Sequence, residues 1–152
     1  MKIQKAAEKD LETVKRITHD TIKLVYPHYY PTGAVEFFLK HHSEEHIMHD
    51  IKSGTVYLLK DEGGETAGTV TVSENSITRL FVLPKYQGKG LGGELIRFAE
   101  ELIAKKYTDI VIDASFSAKS IYLRKGYKFV EYNMIETDNG DFLCYDVMKK
   151  EL

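Results

Sequence analysis

The sequence predicts an α/β (α+β) chain built on a central sheet, in the order βααβββαβαββ. Three observations carry this prediction. Two helix-spaced apolar regions follow a short β-rich N-terminus. Three β-rich segments then run up to Leu83. Beyond them a glycine-dense loop opens an amphipathic helix, after which strand and helix signals alternate.

Residues 2 to 6 read as a short strand. From about residue 8 to 25, Leu11, Val14, Ile17, Thr21, Leu24 and Val25 recur at helical spacing. Pro27 and Pro31 break that pattern among Tyr26, His28, Tyr29 and Tyr30. A second helical region covers roughly residues 34 to 51 and stops at Gly54. Ser43, followed by Glu44, Glu45 and His46, has the chemistry of an N-cap and can split this region in two. Residues 55–60 and 66–73 are β-rich and flank the turn Glu62-Gly63-Gly64-Glu65. Residues 76–83 form a third strand of this group, closed by Pro84. After the loop Lys85-Tyr86-Gln87-Gly88-Lys89-Gly90 comes a helix with Leu91, Leu95, Ala99, Leu102 and Ile103 on one face. Residues 110–114 read as a buried strand, and 118–125 as a short helix stopped at Gly126. Residues 127–136 and 142–148 are the final strands, joined through Asp138-Asn139-Gly140-Asp141.

Composition bounds the function. The 152 residues suit a single domain over 1–152, with no linker or repeat to divide it. A formal net charge of −2 argues against a general nucleic-acid binder. No apolar run reaches the roughly 18 to 20 residues that span a bilayer, and the N-terminus turns polar too soon for a signal peptide. Cys144 is the only cysteine, which excludes an intrachain disulfide and a cysteine-based metal cluster. A cytoplasmic location is the default expectation, and a homodimer stays open.

The sharpest feature is Gln87-Gly88-Lys89-Gly90-Leu91-Gly92-Gly93, placed between a strand and a helix. Four glycines in the six positions 88–93 are costly in backbone entropy. They fit a main chain that turns tightly and approaches a ligand closely. A helix N-terminus there aims free N–H groups outward, an arrangement suited to phosphate. Gly88, Gly90 and Gly93 also fit G-x-G-x-x-G, with Asp113 twenty residues beyond Gly93, the pattern of a dinucleotide site. Against that reading, Pro84-Lys85-Tyr86-Gln87 separates the strand from the first glycine, and two helical regions and a hairpin precede the unit. No G-K-[ST] follows, so there is no Walker A loop.

The same loop resembles Q/R-x-x-G-x-G/A, the pyrophosphate loop of the GCN5-related N-acetyltransferase (GNAT) family. Leu80-Phe81-Val82-Leu83-Pro84 resembles the strand that leads into it. Ala118 to Tyr122, followed by Gly126-Tyr127, resembles the family's A-x-x-x-Y-x-x-x-G-[FY] segment. The order of elements is similar over essentially the whole chain. The resemblance implies a mixed central sheet flanked by helices, whose fourth and fifth strands splay to form a cleft for acetyl-CoA, the acyl donor. It implies a pantetheine contact along the backbone of Phe81 and Val82, and a bulge near 80–82 that frees an N–H to polarise the thioester. Gln87, Gly88, Lys89, Gly90, Leu91, Gly92 and Gly93 would hold the pyrophosphate, with Leu80, Ser115 and Tyr122 also at the cofactor. Many members carry Asn at the position of Ser115. No metal is implied.

The implied reaction is direct attack of a primary amine, on a small molecule or peptide, through a tetrahedral intermediate. An alkyl amine of pKa about 10.4 costs about 4.6 kcal/mol to deprotonate at pH 7. The departing CoA thiolate needs a proton, and the resemblance makes Tyr122 the acid. Its ordinary pKa near 10 leaves a mismatch of only about 2 kcal/mol with a thiol near 8.5. For the base, Glu74 near a strand end and His28 in the aromatic loop are the candidates, and the sequence assigns neither. Tyr26, His28, Tyr29 and Tyr30, with Phe37 and Phe38, could enclose the amine by stacking or cation–π contact. Tyr145 could reach the cleft from the last strand. His42, His46 and His49 would share one face of an unbroken helix, where three imidazoles could bind zinc; a cap at Ser43 would break that helix. Two rivals stand beside an N-acetyltransferase: a non-catalytic acyl-CoA-binding module of the same fold, and a dinucleotide-binding oxidoreductase.

Overall fold

The computed structural model describes residues 1–152. Its strands are β1 (Lys2–Lys5), β2 (Val56–Lys60), β3 (Thr66–Ser73), β4 (Ser76–Val82), β5 (Asp109–Ala114), β6 (Lys128–Glu136) and β7 (Phe142–Glu151). They form one sheet in the order β1-β2-β3-β4-β5-β7-β6. Every neighbouring pair is antiparallel except β4–β5, the one parallel pair. No helix is long and apolar enough to cross a membrane.

The helices are α1 (Leu11–Val25), α2 (Thr32–His41), α3 (Glu44–Lys52), α4 (Leu91–Ile103) and α5 (Lys119–Arg124). The second helical region is therefore two helices. His42 leaves helical geometry at ψ 46°, and Ser43 Oγ accepts the His46 N–H at 3.3 Å to start α3. In α1 the buried stripe is Val14, Ile17, Thr18, Thr21 and Ile22. Leu24, expected on that stripe, is 61% exposed. It stands at the edge of the stripe, about 20° beyond Ile17 at 100° per residue, in the last turn of the helix.

Two apolar layers cover the sheet. On one face α4 buries Leu91, Leu95, Ile96, Ala99 and Ile103 against Ile110, Ile112 and Met148. Gly68 of β3 lets this helix settle, because a Cβ there would stand 2.9 Å from the Phe81 carbonyl oxygen and 3.1 Å from Leu95 Cδ1. On the other face Ile17, Ile22, Tyr26, Tyr30 and Ala34 pack on Phe81, Leu83 and Leu143. Val14, Ile47 and Ile51 pack on Val56 and Leu58.

Strand β4 serves both layers because it is bulged. Thr71 pairs with Arg79 but Val72 pairs with Ile77, so Thr78 is an extra residue. Ile77 accordingly packs with α4, whereas Arg79 and Phe81 face the helices of the other layer. The bulge thus lies at Thr78 and not near 80–82, where β4 pairs with β3 without interruption.

Candidate active site

Strands β4 and β5 touch only at their start. Ser76 pairs with Val111, and Val111 N–H donates to the Asn75 carbonyl at 3.0 Å. Beyond this point they separate, and two cavities fill the gap. One, of about 580 Å³, is walled by β4, the glycine loop, the α4 N-terminus and the end of α5. The other, of about 210 Å³, lies between β4, β5, β7 and α2. They share Tyr26, Leu80, Phe81, Ser115 and Ala118 as a common wall.

The larger cavity is lined with unused donors. No amide from Gly88 to Gly93 donates to another protein group. Gly88 and Gly90 hold φ of 76° and 81°, and the space beside each is open. Leu83 N–H donates to the Ala67 carbonyl, so Phe81 also points its backbone groups at β3, while Leu80 and Val82 aim theirs at the open edge. The edge expected at Phe81 and Val82 is therefore offered by Leu80 and Val82. Gln87 Nε2 donates to the Val82 carbonyl at 2.9 Å and ties the loop to the strand. Thr21 Oγ1, buried and without a hydrogen-bond partner, belongs to the α1 wall of this cavity. Lys89 sits with its Nζ 5.6 Å from the centre of the Tyr86 ring and lies outside the lining. The positive charge on the wall comes instead from Arg124 and Lys125, which sequence reading missed. At the end of a helix such side chains look like ordinary partners of the dipole.

The aromatic segment divides by role. Tyr26 lines both cavities, with its hydroxyl 3.5 Å from Ser115 Oγ, and burial raises its pKa. Ser115 Oγ in turn lies 3.1 Å from Ser117 Oγ. Tyr30 lines neither cavity. Its hydroxyl accepts the Phe116 N–H at 2.8 Å and its ring stacks on Phe116, so it holds the loop after β5 in place. His28 and Tyr29 are exposed and line neither cavity. Glu74 stands at φ 53° on the β3–β4 turn, also exposed and away from both.

Tyr122 is 3% exposed and lines the smaller cavity beside Ala118. Its hydroxyl has no protein hydrogen-bond partner, and its ring meets Tyr127 edge-on at 5.3 Å. Burial, then the neighbouring Tyr26, raises its pKa, so the phenol stays protonated across the physiological range.

The three histidines do not gather. The break at Ser43 separates His42 from His46, and no group of three metal-ligating side chains forms. His42 is buried and accepts from Arg79 Nε at 3.2 Å through Nδ1, while His46 Nδ1 turns to the His41 carbonyl at 2.9 Å. Arg79 also donates to Thr71 Oγ1 at 2.9 Å and Asp50 Oδ2 at 3.1 Å. Burial first, then the Arg79 charge, pushes the His42 imidazole down to about 2. His41, at the edge of the same cavity, is lowered by burial and by His46. Asp113 on β5 is the one carboxylate of the lining. Cys144 lines neither cavity, and its Sγ accepts the Tyr132 hydroxyl at 3.0 Å.

A larger hollow lined by free amides thus meets a smaller one across parted parallel strands, an arrangement suited to binding two ligands side by side. The chain belongs to the GNAT acetyltransferase family: the model of the acetyltransferase (GNAT) domain matches residues 25–151. No curated protein matches the chain by sequence. Solved structures match it in fold. A GCN5-related N-acetyltransferase from Rhodopseudomonas palustris superposes with a TM-score of 0.90 at 21% identity, over 99% of this chain and 95% of that one. The PaiA N-acetyltransferase of Thermoplasma acidophilum, solved with coenzyme A, gives 0.76 at 22% identity, over 99% and 98%. A phosphinothricin acetyltransferase from Sinorhizobium meliloti, solved with acetyl-CoA, gives 0.73 at 16% identity, over 99% and 88%. The dinucleotide reading falls with the family match. Gly88 follows a 3-10 turn at Pro84–Tyr86 instead of the strand itself, and Asp113 lines the smaller cavity, away from the glycine loop.

Proposed function

We propose that the chain moves an acetyl group from acetyl-CoA to a primary amine of a small molecule or peptide, with the larger cavity holding the donor and the smaller one the acceptor. The observation that carries this reading is the shared wall. A group bound in each cavity meets the other beside Leu80, Ser115 and Ala118, with Tyr122 adjacent.

Acetyl-CoA supplies an activated acyl carbon. The protein supplies placement and protons. The unpaired amides of Gly88 to Gly93 bind the pyrophosphate, helped by Arg124 and Lys125. Val82 N–H, on the open edge of β4, donates to the pantetheine arm. Leu80 N–H, on the open edge at the shared wall, polarises the thioester carbonyl with no bulge at 80–82. The amine nitrogen forms a bond to the acyl carbon as the C–S bond breaks, and Tyr122 delivers a proton to the departing sulfur. His42 is not the base. Its Nδ1 lone pair is occupied by Arg79, and burial beside that cation holds the ring neutral.

The test pairs binding with turnover. Calorimetry should show coenzyme A binding the wild type and Tyr122→Phe with equal affinity, while NAD binds neither. CoA-thiol release in the presence of an accepted amine should fall about 100-fold in Tyr122→Phe, the scale of a lost general acid. Equal rates would remove Tyr122 from the reaction. Coenzyme A binding with no turnover of any amine would favour a non-catalytic acyl-CoA-binding module.

A further inference from the structure

We propose that the acceptor is a compact primary monoamine carried on an aromatic-sized apolar body, drawn into the smaller cavity by Asp113. This rests on the acyl-transfer reading above and narrows it.

Size comes first. The cavity holds about 210 Å³. An apolar cavity of about 150 Å³ already accommodates benzene. The extra space fits a ring and a short amine-bearing arm. Shape agrees. Tyr26 meets Phe38 edge-on at 4.7 Å and tilts against Phe81 at 6.1 Å, and Ile112 and Leu143 complete an apolar wall. A flat, rigid body packs against these rings at little entropic cost, whereas a hydrated chain would lose its water for little return.

Charge decides the rest. Arg79 lines the cavity, but three of its N–H groups already go to His42, Thr71 and Asp50, and Asp50 neutralises it. His42 is neutral, and burial keeps His41 from holding a proton easily. Asp113, exposed at the rim, is left as the one carboxylate of the wall, with His41, Tyr145 and the exposed Glu131 of β6 as its titratable neighbours. Such a cavity attracts one cation and repels a carboxylate. Asp113 lies two residues before Ser115 on β5, about 7 Å along an extended strand. An ammonium held at Asp113 is thus a short step from the shared wall. Once it has shed one proton to water, its nitrogen attacks the acyl carbon and the C–S bond breaks. Tyr122 protonates the sulfur, which leaves as a thiol, and the second nitrogen proton restores the Tyr122 phenol as the amide forms.

The test measures CoA-thiol release by the full chain at saturating acetyl-CoA with four acceptors: 2-phenylethylamine, spermidine, phenylalanine and a lysine peptide. The expected kcat/KM for 2-phenylethylamine exceeds that of each other acceptor by about 10-fold or more, the scale of a single charge-assisted hydrogen bond. Asp113→Asn should raise its KM by a similar factor while coenzyme A affinity, read by calorimetry, stays unchanged, and Asp113→Glu should recover part of the loss. A preference for spermidine, abolished in Glu131→Gln, would overturn the proposal and leave the acyl-transfer reading standing. So would a preference for the peptide or for phenylalanine. Thiol release from none of the four would overturn both.

Discussion

At the scale of single residues, the smaller cavity depends on groups fixed by burial. Arg79 holds His42 as an Nδ1 acceptor, and the sign of the resulting pH dependence follows. The imidazole sits at about 2 in the folded chain against an ordinary 6.5. Between those values the unfolded chain binds a proton that the native chain refuses. The contribution to stability is fully present above pH 6.5 and is lost as pH falls, by about 1.4 kcal/mol per unit. His42→Gln can still accept from Arg79 but does not titrate. Denaturant midpoints at pH 7 and pH 5 should therefore show the wild type losing about 2 kcal/mol more than this variant. A parallel loss in both would place the acid sensitivity elsewhere. None of this was readable in the sequence, where His42 looked like one of three imidazoles on a helix. Arg79, three residues into a β-rich run, gave no sign of burial. The glycine loop was legible because its requirement is local: a positive φ favours glycine at 88 and 90 wherever the rest of the chain goes.

At the scale of elements, legibility follows sequence distance. All seven strands and the amphipathic α4 could be placed within a residue or three, since period and turn chemistry are written in neighbouring residues. The bulge at Thr78 could not, because an extra residue in β4 is defined only by its register against β3. Nor could the true walls of the smaller cavity. His28 and Tyr29 sit in the same segment as Tyr26, but that segment turns Tyr26 and Tyr30 inward and leaves His28 and Tyr29 to solvent. Gly68 makes the same point about packing. Within an apolar strand it reads as a weak spot, yet it is where α4 approaches β3. Gly68→Val would press on the Phe81 carbonyl and on Leu95. It should cost about 1 to 3 kcal/mol in urea denaturation, the usual penalty of overpacking. An unchanged midpoint would mean that α4 can shift freely away from the sheet.

At the scale of the whole molecule, the sheet order puts the single parallel pair in the middle and lets it open. Two hollows of different size and polarity result, built from α2 and β7 on one side and from α4 and α5 on the other. Their junction contains no cysteine, and Ser115 is surrounded by the hydroxyls of Tyr26 and Ser117, with no base in hydrogen-bond reach. Nothing there is equipped to carry the acyl group between visits. On the proposed function both reactants are therefore bound at the same time, one in each cavity. Initial velocities at several fixed amine concentrations should give double-reciprocal lines that cross; parallel lines would mean a stop along the way.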